Sequence, residues 1–127
     1  MIWIDSSFAV EWLRGTKRAE KVSLPEGPLA ILPMQYAETT VFFLRAGSDP
    51  VAIIKALEAL EIKNAEQFHL QEGARLYWQA RGLKSKASLA DAILAAVACE
   101  RHEAIASFDQ DFSALGLKEK NGIWSEP

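Results

Sequence analysis

Cysteine is nearly absent from this sequence. A single one, Cys99, among 127 residues excludes an intramolecular disulfide framework and suits a reducing cytoplasm. With only two histidines, His69 and His102, a structural zinc site also lacks its usual donors. No apolar run approaches the roughly 20 residues needed to cross a bilayer, so no membrane partner is expected. The start, MIWIDSSF, places an acid at position 5 and no basic stretch before an apolar region, so a signal peptide is not expected. Repeats, low-complexity tracts and linkers are missing, as are GxSxG, P-loop and GxGxxG patterns. An excess of basic charge is missing too: 14 Lys and Arg against 17 Asp and Glu give a net charge of −3. Taken alone, that balance argues against a nucleic-acid partner. It says less if acids gather at one metal site, where bound cations reverse the local sign.

What is present is the composition of a globular protein, 50% hydrophobic and 24% charged, with a length that fits one domain over residues 1–127. Met1–Ile4 is a short apolar run, read as a buried strand with Asp5 at its C-terminal end. Ser6 or Ser7 can cap a helix through Ala9, Val10, Trp12 and Leu13, which Gly15 stops. After a loop marked by Pro25, Gly27 and Pro28, Leu29–Leu32 is a second strand. Pro33 suits the first turn of a helix over Met34 to Arg45, ended by Gly47. Asp49 and Pro50 open a helix through Leu60, and a short strand is expected near Ile62. Helical spacing returns from Ala65 to Arg81, closed by Gly82. The basic loop Leu83–Lys86 leads to an alanine-rich helix from Ser88 to about His102. Ala104–Ala106 and Gly122–Ser125 complete the strands. Short apolar strands alternating with helices predict an α/β fold with a mainly parallel sheet covered on both faces.

Four acids stand where solvation does not explain them well. Asp5 and Asp109 each follow a short buried run, Met1–Ile4 and Ala104–Phe108, and C-terminal strand ends form the ligand crevice of open α/β sheets. An ordinary loop acid or N-cap accounts for either position equally well. Glu38 has Met34, Val41 and Phe42 as helical neighbours, which places it on or beside an apolar stripe where a carboxylate needs a partner, unless it is a boundary glutamate that reaches out to water. Asp91 fits a capping box with Ser88, yet Ala87, Leu94 and Ala95 border it on the helix. Four such acids suit a hard cation, Mg²⁺ or Mn²⁺, which takes carboxylate oxygens and relieves their repulsion. His69 and His102 read as surface or boundary residues, and Cys99 as a small core residue. Trp3, Trp78 and Trp124 read as core or interface, and Trp12 as a partner contact. Arg81, Lys84 and Lys86 precede Asp91 and could hold phosphates, although a solvated basic loop explains them as well.

The motifs IDSS, YAET, SLADAILAAVA and ASFDQDF together resemble the four acidic motifs of PIN-domain ribonucleases. The compact length and motif order are similar to the VapC toxins of bacterial and archaeal toxin–antitoxin pairs. The resemblance runs from Met1 to about Ser125. It implies a three-layer αβα sandwich, four acids around Mg²⁺ or Mn²⁺, and endonucleolytic cleavage of RNA. It further implies a homodimer and a small antitoxin that inserts a segment into the site. By motif the catalytic and metal-binding acids are Asp5, Glu38, Asp91 and Asp109. Ser7 takes the place of a small residue that orients the first acid, and Ser107 stands where members often carry threonine. In FDQDF, Asp111 is the capping or supporting alternative to Asp109. An RNA-processing PIN nuclease without an antitoxin is one alternative, and a degenerate PIN binding module another, which the presence of all four acids opposes. A response-regulator-like metal site would need a phosphoacceptor Asp after a middle strand and a Lys, and no such pattern is evident.

Overall fold

The computed structural model describes residues 1–127. Its strands are β1 (Ile2–Ile4), β2 (Leu29–Ile31), β3 (Glu61–Ile62), β4 (Ala104–Ala106), β5 (Lys118–Lys120) and β6 (Ile123–Ser125). They form one six-stranded sheet in the order β3-β2-β1-β4-β6-β5. The first four in space are parallel, and β6 and β5 add an antiparallel edge. The helices are α1 (Ser6–Arg14), α2 (Lys17–Glu20), α3 (Pro33–Arg45), α4 (Pro50–Leu57), α5 (Gln67–Gly82) and α6 (Leu89–Glu100), with a 3-10 helix over Gln110–Leu115.

Short continuous apolar strands make sense because both sheet faces are covered. Successive side chains of a strand point to opposite faces. Ile2 and Ile4 accordingly join Ile31, Ala106, Phe8, Ala9, Ile53 and Leu57 in one core. Trp3 points the other way, into a second core with Ala30, Ile105, Trp124, Phe112 and the inner face of α6. The αβα layering and the parallel centre are therefore as the sequence predicts.

α6 is buried on nearly every side, from Ala92 through Ala98 apart from the half-buried Ile93, because the sheet lies on one side and α5 on the other. Its small residues let α5 approach closely. At the crossing, a Cβ added to Gly73 would stand 2.7 Å from the Ile93 Cα.

Several boundaries differ from expectation. α4 ends at Leu57 rather than Leu60, and α6 at Glu100 rather than near His102. α5 begins at Gln67 and includes Gly82, and the left-handed turn beyond it falls on Lys84 (φ 59°). Three elements were not expected: α2, the 3-10 helix and β5. The charged strand β5 pairs with β6 through a tight turn in which Asn121 (φ 53°) and Gly122 (φ 82°) both take positive φ. That Asn-Gly pair is the strongest short hairpin signal a sequence can carry.

One side-chain expectation is corrected. His69 is not a surface or boundary residue but 1% exposed. Its Nδ1 accepts the Glu66 amide at 2.9 Å, so the proton sits on Nε2, which donates to Glu100 Oε1 at 2.9 Å and ties α5 to α6. Trp3 and Trp124 are buried, but Trp78 is exposed and so lies outside the core. Trp12 packs half-buried against the Ile2/Ile4 core.

The α5–α6 crossing gives a direct test. Gly73→Ala must push against backbone, and a loss of roughly 1–3 kcal/mol in chemical denaturation is expected. Gly82→Ala, where nothing lies within 4 Å, should be neutral or stabilising. Equal effects of the two substitutions would contradict the close approach.

Candidate active site

The centre starts where β1 ends. Asp5 is 2% exposed, and its backbone amide donates to Ala106 O of the neighbouring strand at 3.4 Å. Its carboxylate caps α1 by accepting the Phe8 amide at 2.9 Å. Ser7 Oγ donates to both carboxylate oxygens, at 2.8 and 3.0 Å, and Ser107 Oγ donates to Oδ2 at 2.5 Å. Burial pushes the Asp5 pKa up, the bonds from Ser107, Phe8 and Ser7 oppose this, and the charge of Asp109 adds to the rise. Ser7 and Ser107 thus orient Asp5 from two sequence segments.

Asp109 lies just past β4. Its amide donates to Ser107 Oγ at 2.9 Å, and its Oδ1 accepts the Asp111 amide at 2.9 Å, capping the 3-10 helix. Burial raises its pKa, with the Asp111 charge acting in the same direction. An interaction with the Asp91 side chain opposes the rise. Asp111 follows in the first turn of the 3-10 helix, beside Asp109.

Asp91 occupies the first turn of α6, where Ser88 Oγ accepts its amide at 3.0 Å. The Ser88 half of the expected capping box is therefore formed, through the Asp91 backbone amide and not its carboxylate. Its pKa is pushed up to about 7, first by burial and then by the charges of Asp5 and Asp109, with Glu38 contributing; the Ser88 bond opposes the rise. All three other acids act on Asp91. No three acidic, histidine or cysteine side chains stand as a closed ligand set. The donors are nevertheless carboxylate and hydroxyl oxygens without sulfur or imidazole, which is the chemistry hard divalent cations take. Asp5, Asp91, Asp109 and Glu38 could hold such an ion between them.

Glu38 departs from expectation. The stripe beside it, Met34, Val41 and Phe42, is exposed, and Glu38 is exposed with it. The buried face of α3 is instead Gln35 and Thr39. Glu38 sits on a ridge between two clefts, one of about 740 Å³ between α1 and α3, the other of about 440 Å³ between α3 and the start of α6. Partial desolvation there still raises its pKa.

Gln35 was not singled out in the sequence. Fully buried, it donates from Nε2 to Ala90 O at 3.0 Å, linking the helix of Glu38 to the residue before Asp91, while Oε1 has no partner. Arg18 and Phe108 were also missed: the guanidinium lies 4.1 Å above the ring, next to Asp109. Nothing in the pattern of α2 announced this contact. Arg81, Lys84 and Lys86 are exposed at the end of α5 and in the loop before α6, outside both clefts. His102 is exposed, and burial pushes the Cys99 thiol up to about 11, so neither is built into the acid cluster.

The chain matches the family model of the PIN domain over residues 2–118, and it belongs to the PIN-domain family. Its fold is similar to that of VapC20 from Mycobacterium tuberculosis, described as a sarcin-ricin loop cleaving toxin. The two share 22% identity and a TM-score of 0.71, over 94% of this chain and 98% of that one. It is also similar to a chain of a toxin–antitoxin complex from Klebsiella pneumoniae, at 20% identity and a TM-score of 0.71, over 89% and 91% of the two chains. Comparison with curated proteins finds no match.

The charge at Asp91 fixes a pH dependence. Its pKa rises from 3.8 in the unfolded chain to about 7 in the fold, so between those values the folded chain holds a proton that the unfolded chain releases. Stability from the protonated form is complete below the lower value and is lost as pH rises through the upper one. Asp5 and Asp109 push the same way. In chelator, Asp91→Asn should raise the melting temperature, and by more at about pH 8 than at about pH 5. Equal gains at both pH values in thermal unfolding would show that Asp91 is not held near neutrality.

Proposed function

We propose that this chain is a divalent-metal-dependent endoribonuclease and the toxin of a toxin–antitoxin pair. The observation that carries the reading is that Asp5 and Asp109, at the ends of the paired strands β1 and β4, and Asp91, in the first turn of α6, act on one another in a chain that matches the PIN domain. Asp5, Asp91, Asp109 and Glu38 hold the ion, Mg²⁺ or Mn²⁺. A divalent cation at this place supplies Lewis acidity to a phosphodiester and lowers the pKa of a water molecule. Ser7 and Ser107 keep both Asp5 oxygens aimed, and the Asp111 amide holds Asp109. Gln35 holds α3 against Ala90 and so fixes Glu38 relative to Asp91.

RNA is the substrate in this reading, supported by the likeness to a toxin described as cleaving the sarcin-ricin loop. Arg81, Lys84 and Lys86 supply phosphate contacts at the α6 side. The cleft between α1 and α3 carries Arg14, Arg18 and Arg45 around Met34, Val41 and Phe42, a lining that suits an amphipathic antitoxin segment. The second cleft, with Leu70, Leu89 and Ile93, suits a second copy of the chain. No helix is long and apolar enough to cross a membrane, and the lone cysteine suits a cytoplasmic setting.

Cleavage of single-stranded RNA should stop with chelator and return with Mg²⁺ or Mn²⁺. Asp91→Asn keeps the cap and removes the charge, and should lower the rate by at least about 100-fold, while His102→Ala retains it. Parental cleavage by Asp91→Asn would take Asp91 out of the metal set and remove the four-acid site.

A further inference from the structure

On the far side of the Arg18–Phe108 stack lies a third cleft, of about 410 Å³. Arg18, Lys21, Ser23, Gln110 and Asn121 line it, and Ser107 reaches it from the acid cluster. Phe108 and Arg18 line this cleft and also the one between α1 and α3, so the stack is the wall they share. The short helix α2 makes this possible. Thr16 caps it, and it brings Arg18 back over Phe108 and leaves Lys21 just beyond its end.

The cleft is indexed to the acids through covalent and hydrogen-bonded neighbours. Ser107 Oγ donates to Asp5, and the Ser107 amide donates to Gly122 O at 3.1 Å, fixing the Asn121–Gly122 turn against the centre. The lining offers two cations, two amides and two hydroxyls, with Val22 and Phe108 as the apolar members. Such a set fits a phosphodiester and its sugar, and neither an apolar helix nor a metal ion. Glu119 is the one anion present, and its Oε1 accepts the Gly122 amide at 3.3 Å, which commits it to the turn. Arg18 also stands 3.9 Å from Glu11, a pair weak enough to be exchanged for a phosphate.

We propose that this cleft is a subsite for single-stranded RNA on one side of the scissile bond. Arg18 and Lys21 each neutralise a backbone phosphate, while Asn121, Gln110 and Ser23 hydrogen-bond the sugar and base edges. The assignment rests on the ribonuclease reading and deepens it. The strand crosses the acids over the Arg18–Phe108 wall, opposite the side of Arg81, Lys84 and Lys86.

The test measures binding of a fluorescent single-stranded RNA oligonucleotide to the Asp91→Asn protein, which holds substrate without cutting it, across a salt series. Adding Arg18→Ala and Lys21→Ala together should weaken Kd roughly tenfold and make the slope of log affinity against log salt shallower by about 1.4, or about 0.7 per lost contact. Lys21→Glu alone, at an exposed side chain that the fold does not need, should weaken binding as well. Lys55→Ala on α4, outside every cleft described, is the control and should bind as its parent does. Unchanged affinity and slope in the double variant, with RNA still bound, would overturn the subsite alone. If the parent cuts no RNA and the Asp91→Asn protein binds none, the ribonuclease reading fails and the subsite with it.

Discussion

Carboxylates that burial and mutual repulsion make costly to ionise are the constraint around which this fold is arranged. Asp91 feels Asp5, Asp109 and Glu38 at once, in surroundings that remove it from much of the water. Like charges in a desolvated place raise each other's pKa values and oppose folding as they ionise. The parallel strands β1 and β4 end side by side, and this adjacency forces Asp5 and Asp109 into one crevice. The N-termini of α1 and α6 meet there as well, and their positive dipole ends offset part of the accumulated charge. In the proposed function a divalent cation relieves what remains, which gives the folding penalty and the proposed activity one origin.

The surrounding structure keeps that arrangement from relaxing. Ser7 in the first turn of α1 and Ser107 just past β4 hold Asp5, and Gln35 ties α3 to the residue preceding Asp91. α6 cannot shift outward, because α5 is packed against it at Gly73 and joined to it by the buried His69–Glu100 bond. A site of mutually repelling groups needs a rigid frame, since flexible side chains would separate.

Much of this was legible in the sequence. Apolar runs of three or four residues separated by amphipathic segments identify parallel strands buried on both faces, and the two opposed cores confirm that reading. The acids after β1 and β4 were visible because a charged residue ends an apolar run, and the Ser88 cap because of its spacing to Asp91. What escaped had weaker local signals. The α3 stripe of Met34, Val41 and Phe42 reads as core but lines an open cleft, since periodicity records amphipathicity and not which face is covered. His69 reads as polar surface, whereas an N3 position under α6 turns it into a buried cap. β5 is wholly charged and shows no strand alternation, although Asn121–Gly122 could have located its hairpin. Arg18 over Phe108 joins residues ninety positions apart, which no periodicity reports.

The most direct measurement of the central claim is the melting temperature of the protein as Mn²⁺ is added, for the parent and for Asp5→Asn. Asparagine still caps α1 and still meets Ser7 and Ser107, so it preserves the frame and removes one negative charge. A cation bound only by the folded state raises stability with the logarithm of its concentration. The expected result is a higher metal-free melting temperature for Asp5→Asn, and an Mn²⁺-dependent rise in the parent that is lost in the variant. Equal Mn²⁺-induced rises in the two proteins would contradict a cation held by these carboxylates.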